Sequence, residues 1–305
     1  MQRDIVIGIP TFRRPELLRI LLDSLEAELA VQPAFVVVAD NDCGVEASAV
    51  VDAFKSRWSD IVCIPVPERG VAQVRNALVA AAGRFRPDWT WLLMLDDDGR
   101  VEPGWMQTIL SCGETYQANL VGGPVEGVLP EDAGLLVRNS VFASRRRWPT
   151  GPVGTLNTTQ NLAISRRTLD LLAPPLFRNQ YGATGGEDYD LFRQVAAAGG
   201  RLVWCDEAVV TEPAPADRLE YWSLLGRYYS TGAYMARIDR HYDGTLAAWR
   251  ASVAGLVSLL LRSVAMTVLS RRNDAARAFL SLVHYAGRIH GLLGGARLAR
   301  YVKPT

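Results

Sequence analysis

The sequence predicts an α/β fold, a mainly parallel sheet with helices on both faces, followed by a C-terminal helical tail. Three observations predict it. Short β-branched runs alternate with helix-patterned segments over roughly the first third of the chain. The runs end on Pro10-Thr11, Asp40-Asn41-Asp42 and Asp96-Asp97-Asp98, polar stops of the kind that close buried parallel strands. After residue 240 the chain turns helical by pattern, apolar and basic. With 49% hydrophobic and 21% charged residues over 305 positions, there is enough apolar mass for an ordered core.

Taken in order, Ile5 to Ile9 is a strand pattern closed by Pro10 and Thr11. Pro15 to Leu29 reads as a helix with Leu17, Leu18, Leu21, Leu22 and Leu25 on one side. Phe35 to Ala39 is a second strand, and the three together make one βαβ unit. Val50 to Trp58 predicts a short helix, Ile61 to Val66 a third strand and Ala72 to Ala82 an Ala-rich helix. Trp89 to Leu95 is a fourth strand that runs into the triple aspartate. Ligands in such sheets sit at the C-terminal strand ends, where Pro10-Thr11, Asp40-Asn41 and Asp96-Asp97-Asp98 all fall. Beyond residue 100 the glycines at 122, 123 and 127 break the chain, and residues 138–157 look irregular. Asn161 to Leu172 and Glu187 to Ala198 are predicted as helices and Leu202 to Cys205 as a last strand. The expected organisation is a catalytic part over 1–240 and a basic, apolar helical region over 241–305.

The net charge of +1 hides an asymmetry. Residues 1–226 carry 21 Lys+Arg against 29 Asp+Glu, whereas residues 227–305 carry 12 against 3. The second segment suits an anionic surface, and charge alone does not choose between nucleic acid and phospholipid. Its strong apolarity, with no reading helix or zinc pattern, weighs against nucleic acid. From Ala251 to Ser270 the only charge is Arg262, over a borderline spanning length. An Arg near the centre of a spanning helix costs about 2.5–3.5 kcal/mol, so a helix lying flat in the headgroup region is expected. Ala275 to Leu293 suits an interfacial helix or a docked one. The alternative is that the tail packs on the catalytic part or forms a homodimer.

The four cysteines, Cys43, Cys63, Cys112 and Cys205, form no metal-ligand spacing and read as buried thiols of a reducing compartment. The N-terminus lacks the basic-then-apolar order of a secretory signal. The expected location is the cytoplasmic face of the inner membrane, held peripherally.

Three consecutive aspartates repel and raise one another's pKa. A hard Mg²⁺ or Mn²⁺ bridging to a diphosphate gives them a purpose, and a solvated turn is the bland alternative. Strand alternation would point Asp96 and Asp98 the same way and turn Asp97 aside. Glu187-Asp188, after Gly185-Gly186, is a second acidic site: a carboxylate suited to general-base work, or merely acidic residues near the positive end of a helix dipole. His241, His284 and His290 read as surface or structural residues. Trp89 and Trp91 read as core, while Trp148 is either structural or a platform for an acceptor sugar.

Five segments in order carry a resemblance: Ile9-Pro10-Thr11-Phe12-Arg13-Arg14, Asp40-Asn41, Gly70-Val71-Ala72 with Arg75-Asn76, Leu95-Asp96-Asp97-Asp98, and Gly186-Glu187-Asp188-Tyr189-Asp190-Leu191 with Arg193. Over residues 4–240 the chain resembles the family 2 glycosyltransferases with the A-type nucleotide-sugar fold, among them bacterial exopolysaccharide transferases of the succinoglycan type. The resemblance implies a nucleotide cradle at Pro10 and Thr11 and a base-reading carboxylate at Asp40. It places Arg14 and Arg75 near base and diphosphate, and Asn161 below the donor sugar. Asp96 and Asp98 become the D-x-D pair, with Asp98 on the metal, Asp188 the general base and Glu187 its acceptor-side neighbour. It implies an inverting transfer from a UDP-linked donor, with Mn²⁺ or Mg²⁺, to a hydroxyl of a lipid-linked saccharide or polysaccharide precursor, and the absence of a processive-synthase motif favours addition of one sugar.

Two departures matter. Many relatives carry a histidine ligand after the last core strand, where this chain has Val210-Thr211-Glu212-Pro213, so either Glu212 substitutes as an oxygen ligand of the metal or the metal has fewer protein ligands. The Q-x-x-R-W motif of processive synthases is absent, and Gly226-Arg227-Tyr228-Tyr229 occupies that region. Two other functions fit less well. A sugar nucleotidyltransferase needs a Gly-rich phosphate loop that Pro10-Thr11-Phe12 does not supply, and a non-catalytic glycan-binding domain would not need both acidic sites.

Overall fold

A computed structural model describes residues 4–143, 145–214, 216–268 and 272–295, with the backbone alone at 217 and 262–268. The first half runs β1 (Ile5–Thr11), α1 (Pro15–Val31), β2 (Phe35–Asp40), α2 (Glu46–Phe54), β3 (Ile61–Pro65), α3 (Val71–Phe85) and β4 (Trp91–Leu95). There follow β5 (Arg100–Val101), α4 (Trp105–Thr115), β6 (Leu120–Gly122), β7 (Val125–Val128), α5 (Leu135–Arg138), β8 (Gly151–Val153), β9 (Asn161–Ser165) and α6 (Thr168–Leu171). The chain continues through α7 (Glu187–Ala197), β10 (Leu202–Trp204), β11 (Val210–Pro213), α8 (Ala216–Leu219), α9 (Tyr221–Asp243), α10 (Thr245–Val268) and α11 (Arg272–Leu292).

Two compact units result. One comprises Met1–Glu126, Arg146–Ala183 and Glu187–Glu212; the other comprises Gly127–Arg145, Thr184–Gly186 and Pro213–Thr305. Helix α9, which the sequence places with the catalytic part, belongs with the second.

The first unit is built on an eight-stranded sheet of order β3-β2-β1-β4-β9-β6-β10-β8. β3, β2, β1 and β4 are parallel, as are β6 and β10, whereas β9 runs antiparallel to both its neighbours and β8 antiparallel to β10. Alternation along β1 sends Ile5, Ile7 and Ile9 into one core layer with Leu18, Leu21, Leu22 and Leu25 of α1. Burial of each such side chain contributes about 1.5–3 kcal/mol. Val6 faces the opposite layer with Leu78 of α3 and Leu92. Gly8 leaves room for close packing there, since a Cβ would lie 3.2 Å from Leu92 and 3.3 Å from Leu78. Because Thr11 stands opposite Asp40 in the parallel register, the ends of β1 and β2 meet on one edge.

Several expectations are corrected. Asn161 to Leu172 is not one helix but strand β9 followed by the short α6. Leu162, Ala163 and Ile164 are fully buried between β4 and β6, and a short apolar run buried on both sides carries no period that separates strand from helix. Helix α4 was not anticipated. Its N-terminus is capped by a carboxylate from α1, Glu28, whose oxygens accept the N–H groups of Gly104 and Met106, both at 2.7 Å. All four thiols are free; Cys112 and Cys205 are buried, but Cys43 is exposed in a turn. Trp148, half-buried, packs edge-on against Trp204, 5.1 Å between ring centroids, which favours a structural role over a sugar platform.

In the second unit α11 is docked on α9. A Cβ on Gly232 would collide with the His284 carbonyl, and one on Gly287 with the Tyr229 carbonyl, so the backbones touch where these glycines stand. Arg288 of α11 reaches Asp239 of α9 at 2.7 Å and Ser252 of α10 at 3.0 Å, tying the three helices together. Among the described residues no helix is long and apolar enough to cross a membrane. The Arg262 side chain and residues 269–270, part of the expected interfacial segment, lie outside the described residues.

Candidate active site

The site begins where β1, β2 and β4 end. After Leu95 the chain leaves the sheet in a turn closed by the Gly99 N–H donating to the Asp96 carbonyl at 3.0 Å. The pleat therefore does not persist through the triple aspartate, and its side chains do not alternate as expected. Asp97 is not turned aside: it is buried, accepting the Thr11 hydroxyl at 2.7 Å and Arg14 at 3.4 Å. Asp98 is buried beside it and takes the same Arg14 nitrogen at 3.0 Å. Arg14 is thus held by two of the three aspartates.

Burial raises the Asp97 pKa in spite of Arg14 and Thr11. At Asp98, burial and then the charges of Asp96, Glu212 and Asp97 push the carboxyl up to about 7. Asp98 Oδ1 is buried with no hydrogen-bond partner among the described residues. Glu212 is also buried and accepts Gln160 Nε2 at 2.6 Å. Among the described residues no three Asp, Glu, His or Cys side chains gather as a ready-made metal cage. The Asp98-Asp96-Glu212 triad expected from sequence is a concentration of negative charge rather than a closed coordination shell. An all-oxygen set with an orphaned acceptor suits a hard divalent cation that takes its remaining ligands from a diphosphate.

Beside it lies a cleft of about 360 Å³ lined by Thr11, Arg13, Arg14, Asp40, Asp42 and residues 44–47. Pro10, opposite Ala39 inside the sheet, stands one residue back from this lining. Asp40 is buried, and its Oδ1 accepts the Asp42 N–H at 2.8 Å, an Asx turn that fixes the cleft floor. Asn41 joins two of the sequence motifs: its amide donates to the carbonyls of Val66 and Glu68, both at 2.8 Å, and accepts the Gly70 N–H at 3.1 Å. Arg69, not singled out from the sequence, completes the rim with Arg13. Arg13 and Arg69 both bond Asp42, at 3.0 and 2.9 Å, and hold its carboxyl below the usual range. They also flank the Phe12 ring at 5.1 and 4.8 Å. Only the proximity of Arg69 to Gly70 in the chain could have signalled this.

Arg75 and Asn161 differ from expectation. Arg75 is buried and engages Asp96 at 3.2 Å and Glu187 more closely, so it locks the two acidic motifs together in place of an open diphosphate contact. Glu187 is accordingly a buried ion-pair partner. Asp188, the next residue, is only partly buried, and its Oδ1 accepts the Tyr189 N–H at 2.7 Å in the first turn of α7. Asn161 is 0% exposed, and its amide is consumed by the framework. It donates to the carbonyls of Pro124 and Ala208 at 2.9 and 2.7 Å and accepts the Trp105 indole N–H at 2.9 Å. Its side chain is therefore enclosed by framework partners and presents no exposed polar atom.

A family model described as glycosyltransferase like family 2 matches residues 3–231. The chain belongs to this family. The succinoglycan biosynthesis protein ExoM of Rhizobium meliloti (strain 1021) is 32% identical over 301 residues, covering 97% of this chain and 94% of that protein. Among solved structures, this glycosyltransferase is similar in fold to the mannosyltransferase PcManGT of Pyrobaculum calidifontis, in complex with GDP-Man and Mn²⁺. That likeness has a TM-score of 0.60 and 16% identity, covering 96% of this chain and 88% of that one. Residues 1–349 of S. aureus TarS in complex with UDP-GlcNAc give a TM-score of 0.54 and 14% identity, over 96% and 92% of the two chains. Both carry the A-type glycosyltransferase fold, which is the fold of this chain.

Proposed function

We propose that this glycosyltransferase moves one sugar, with inversion at the anomeric carbon, from a UDP-linked donor to a hydroxyl of a lipid-linked saccharide. The buried, unpartnered Asp98 Oδ1 beside the Asp40 cleft carries the reading. An acceptor atom so placed is costly unless a ligand completes it, and Asp98 with Asp96 and Glu212 would hold Mn²⁺ or Mg²⁺ there. Such an ion supplies charge neutralisation to a departing diphosphate. Asp40 and the Asp42 rim suit the polar edge of a base, while Thr11 and Arg14 stand between base and diphosphate.

Asp188 is the general base. Partly exposed at the start of α7, it accepts the proton of the acceptor hydroxyl as that oxygen bonds the anomeric carbon and the carbon–diphosphate bond breaks. Glu187, one residue earlier, is neutralised by Arg75 and leaves Asp188 as the carboxylate open to an acceptor. The likeness to ExoM supports an exopolysaccharide precursor as acceptor. The relatives' ligands UDP-GlcNAc and GDP-Man support a nucleotide-sugar donor.

The test is a panel of UDP- and GDP-sugars, with Mn²⁺ and a membrane lipid extract as acceptor, read by product mass. A gain of one sugar unit from a UDP donor is expected. Transfer from GDP-sugars alone would overturn the base assignment, and nucleotide release without a heavier lipid product would overturn the acceptor.

A further inference from the structure

Helix α10 is apolar on the side that its bundle leaves exposed. On the inward side Ala248 and Ser252 are buried, Trp249 packs against Ala236, Ala248 and Leu292, Ser252 accepts Arg288 Nε at 3.0 Å, and the Tyr285 hydroxyl fills the space beside Gly255. The opposite side carries further large apolar residues. Leu246, Val253, Val257, Leu260 and Leu261 are 64%, 45%, 49%, 48% and 70% exposed. Their spacing follows the helical repeat and forms one stripe about 22 Å long. An amphipathic helix of a water-soluble bundle turns such residues inward, and a contiguous exposed set marks an interaction face.

Charge identifies the occupant. Thr245–Val268 contains no acidic residue, and exposed Arg250 lies within the stripe. Residues 227–305 as a whole hold 12 Lys+Arg against 3 Asp+Glu, and the pairing of one of each, Arg288 with Asp239, within the bundle leaves that excess unchanged. A second copy meeting this face with its own α10 would bring the same excess of positive charge, so the complementary partner of this face is anionic as well as apolar. No described helix is long and apolar enough to cross a membrane, which leaves contact along the surface. We propose that the outer face of α10 docks flat on an anionic lipid bilayer, with Val253, Val257, Leu260 and Leu261 at the headgroup–acyl boundary and Arg250 at the phosphates. The proposal rests on the second unit alone and is independent of the transfer chemistry.

The experiment is co-sedimentation of the full-length protein with vesicles of phosphatidylcholine alone or mixed equally with phosphatidylglycerol, at low and high salt. The wild type should pellet with the anionic vesicles, less so as salt screens the attraction. Val257→Asp combined with Leu261→Asp should abolish pelleting, and Arg250→Gln should weaken it roughly fivefold, the share of one basic residue near such a surface. These positions are exposed, so thermal unfolding and UDP binding should not change, and both are measured to show that the variants are folded. Wild type remaining in the supernatant overturns the proposal. So does the double variant pelleting like wild type, or a salt-resistant dimer that the double variant abolishes while vesicle binding is unaffected.

Discussion

Arg75 donates to Asp96 and to Glu187, two carboxylates that lie 21 and 112 residues away from it in the chain. A single buried guanidinium on α3 thereby sets the distance between the aspartate turn after β4 and the start of α7. Its rigid planar fork presents donors to both carboxylates from fixed positions, whereas an ammonium is a compact charge with rotatable donors.

Replacing Arg75 should leave two buried carboxylates uncompensated. Arg75→Ala should lose about 3–5 kcal/mol of stability, the usual cost of removing one partner of a buried ion pair. Arg75→Lys should lose less in urea unfolding yet still depress turnover, because a compact ammonium with rotatable donors does not fix both acids in register. A Lys variant with wild-type turnover would make the bridge dispensable for positioning.

Asp188→Asn should leave UDP and metal binding intact and lower turnover by about 10²–10⁴-fold, the range for loss of general-base help. Steady-state rates at saturating acceptor, with UDP affinity measured in parallel, make the check. Near-normal turnover would remove Asp188 from the base role.

Asp98→Ala should abolish the enhancement of UDP binding by Mn²⁺ that the wild type is expected to show. Calorimetric titration of UDP with and without Mn²⁺ into both proteins gives four affinities. Four equal values would remove the metal from the donor site.

Glu28 holds two N–H groups at the start of α4 with charge-assisted bonds. Glu28→Ala should cost about 2–4 kcal/mol in urea unfolding, the combined loss of a charged cap and of the partner of the buried Met106 N–H. Glu28→Gln offers at most one acceptor oxygen and should fall between.

His284 on α11 has its pKa lowered to about 4 by burial, with Arg288 adding to the effect. The folded value lies below the ordinary 6.5, so between the two the unfolded chain binds a proton that the native chain refuses. The stability from keeping this imidazole neutral is present above pH 6.5. It is lost as pH falls toward 4, by up to about 1.4 kcal/mol per unit. His284→Gln should flatten this part of the pH dependence of thermal unfolding; a variant whose profile parallels wild type would show that His284 is not its source.

The local pattern of the chain determined the strand–helix alternation through β4, the placement of Thr11, Asp40 and the aspartates at strand ends, and the acidic start of α7. Those features follow from hydrophobic period and turn chemistry, which are written within a dozen residues. The same reasoning misread 161–172 and missed α4. The first, a short strand buried on both sides, shows no period, and the second depends on a cap supplied by another helix. Tertiary structure alone decided that Arg75 spans Asp96 and Glu187, that Asn161 serves the framework rather than the donor, and that Asp97 shares Arg14 with Asp98. It also decided which face of α10 is covered: the sequence shows an apolar helix, but only packing against Arg288 and Tyr285 turns the small residues inward and leaves Val253, Val257 and Leu261 outside. The physical reason is common to these cases, since a side chain's partner is chosen by which surfaces the whole fold brings together, and no local pattern records it.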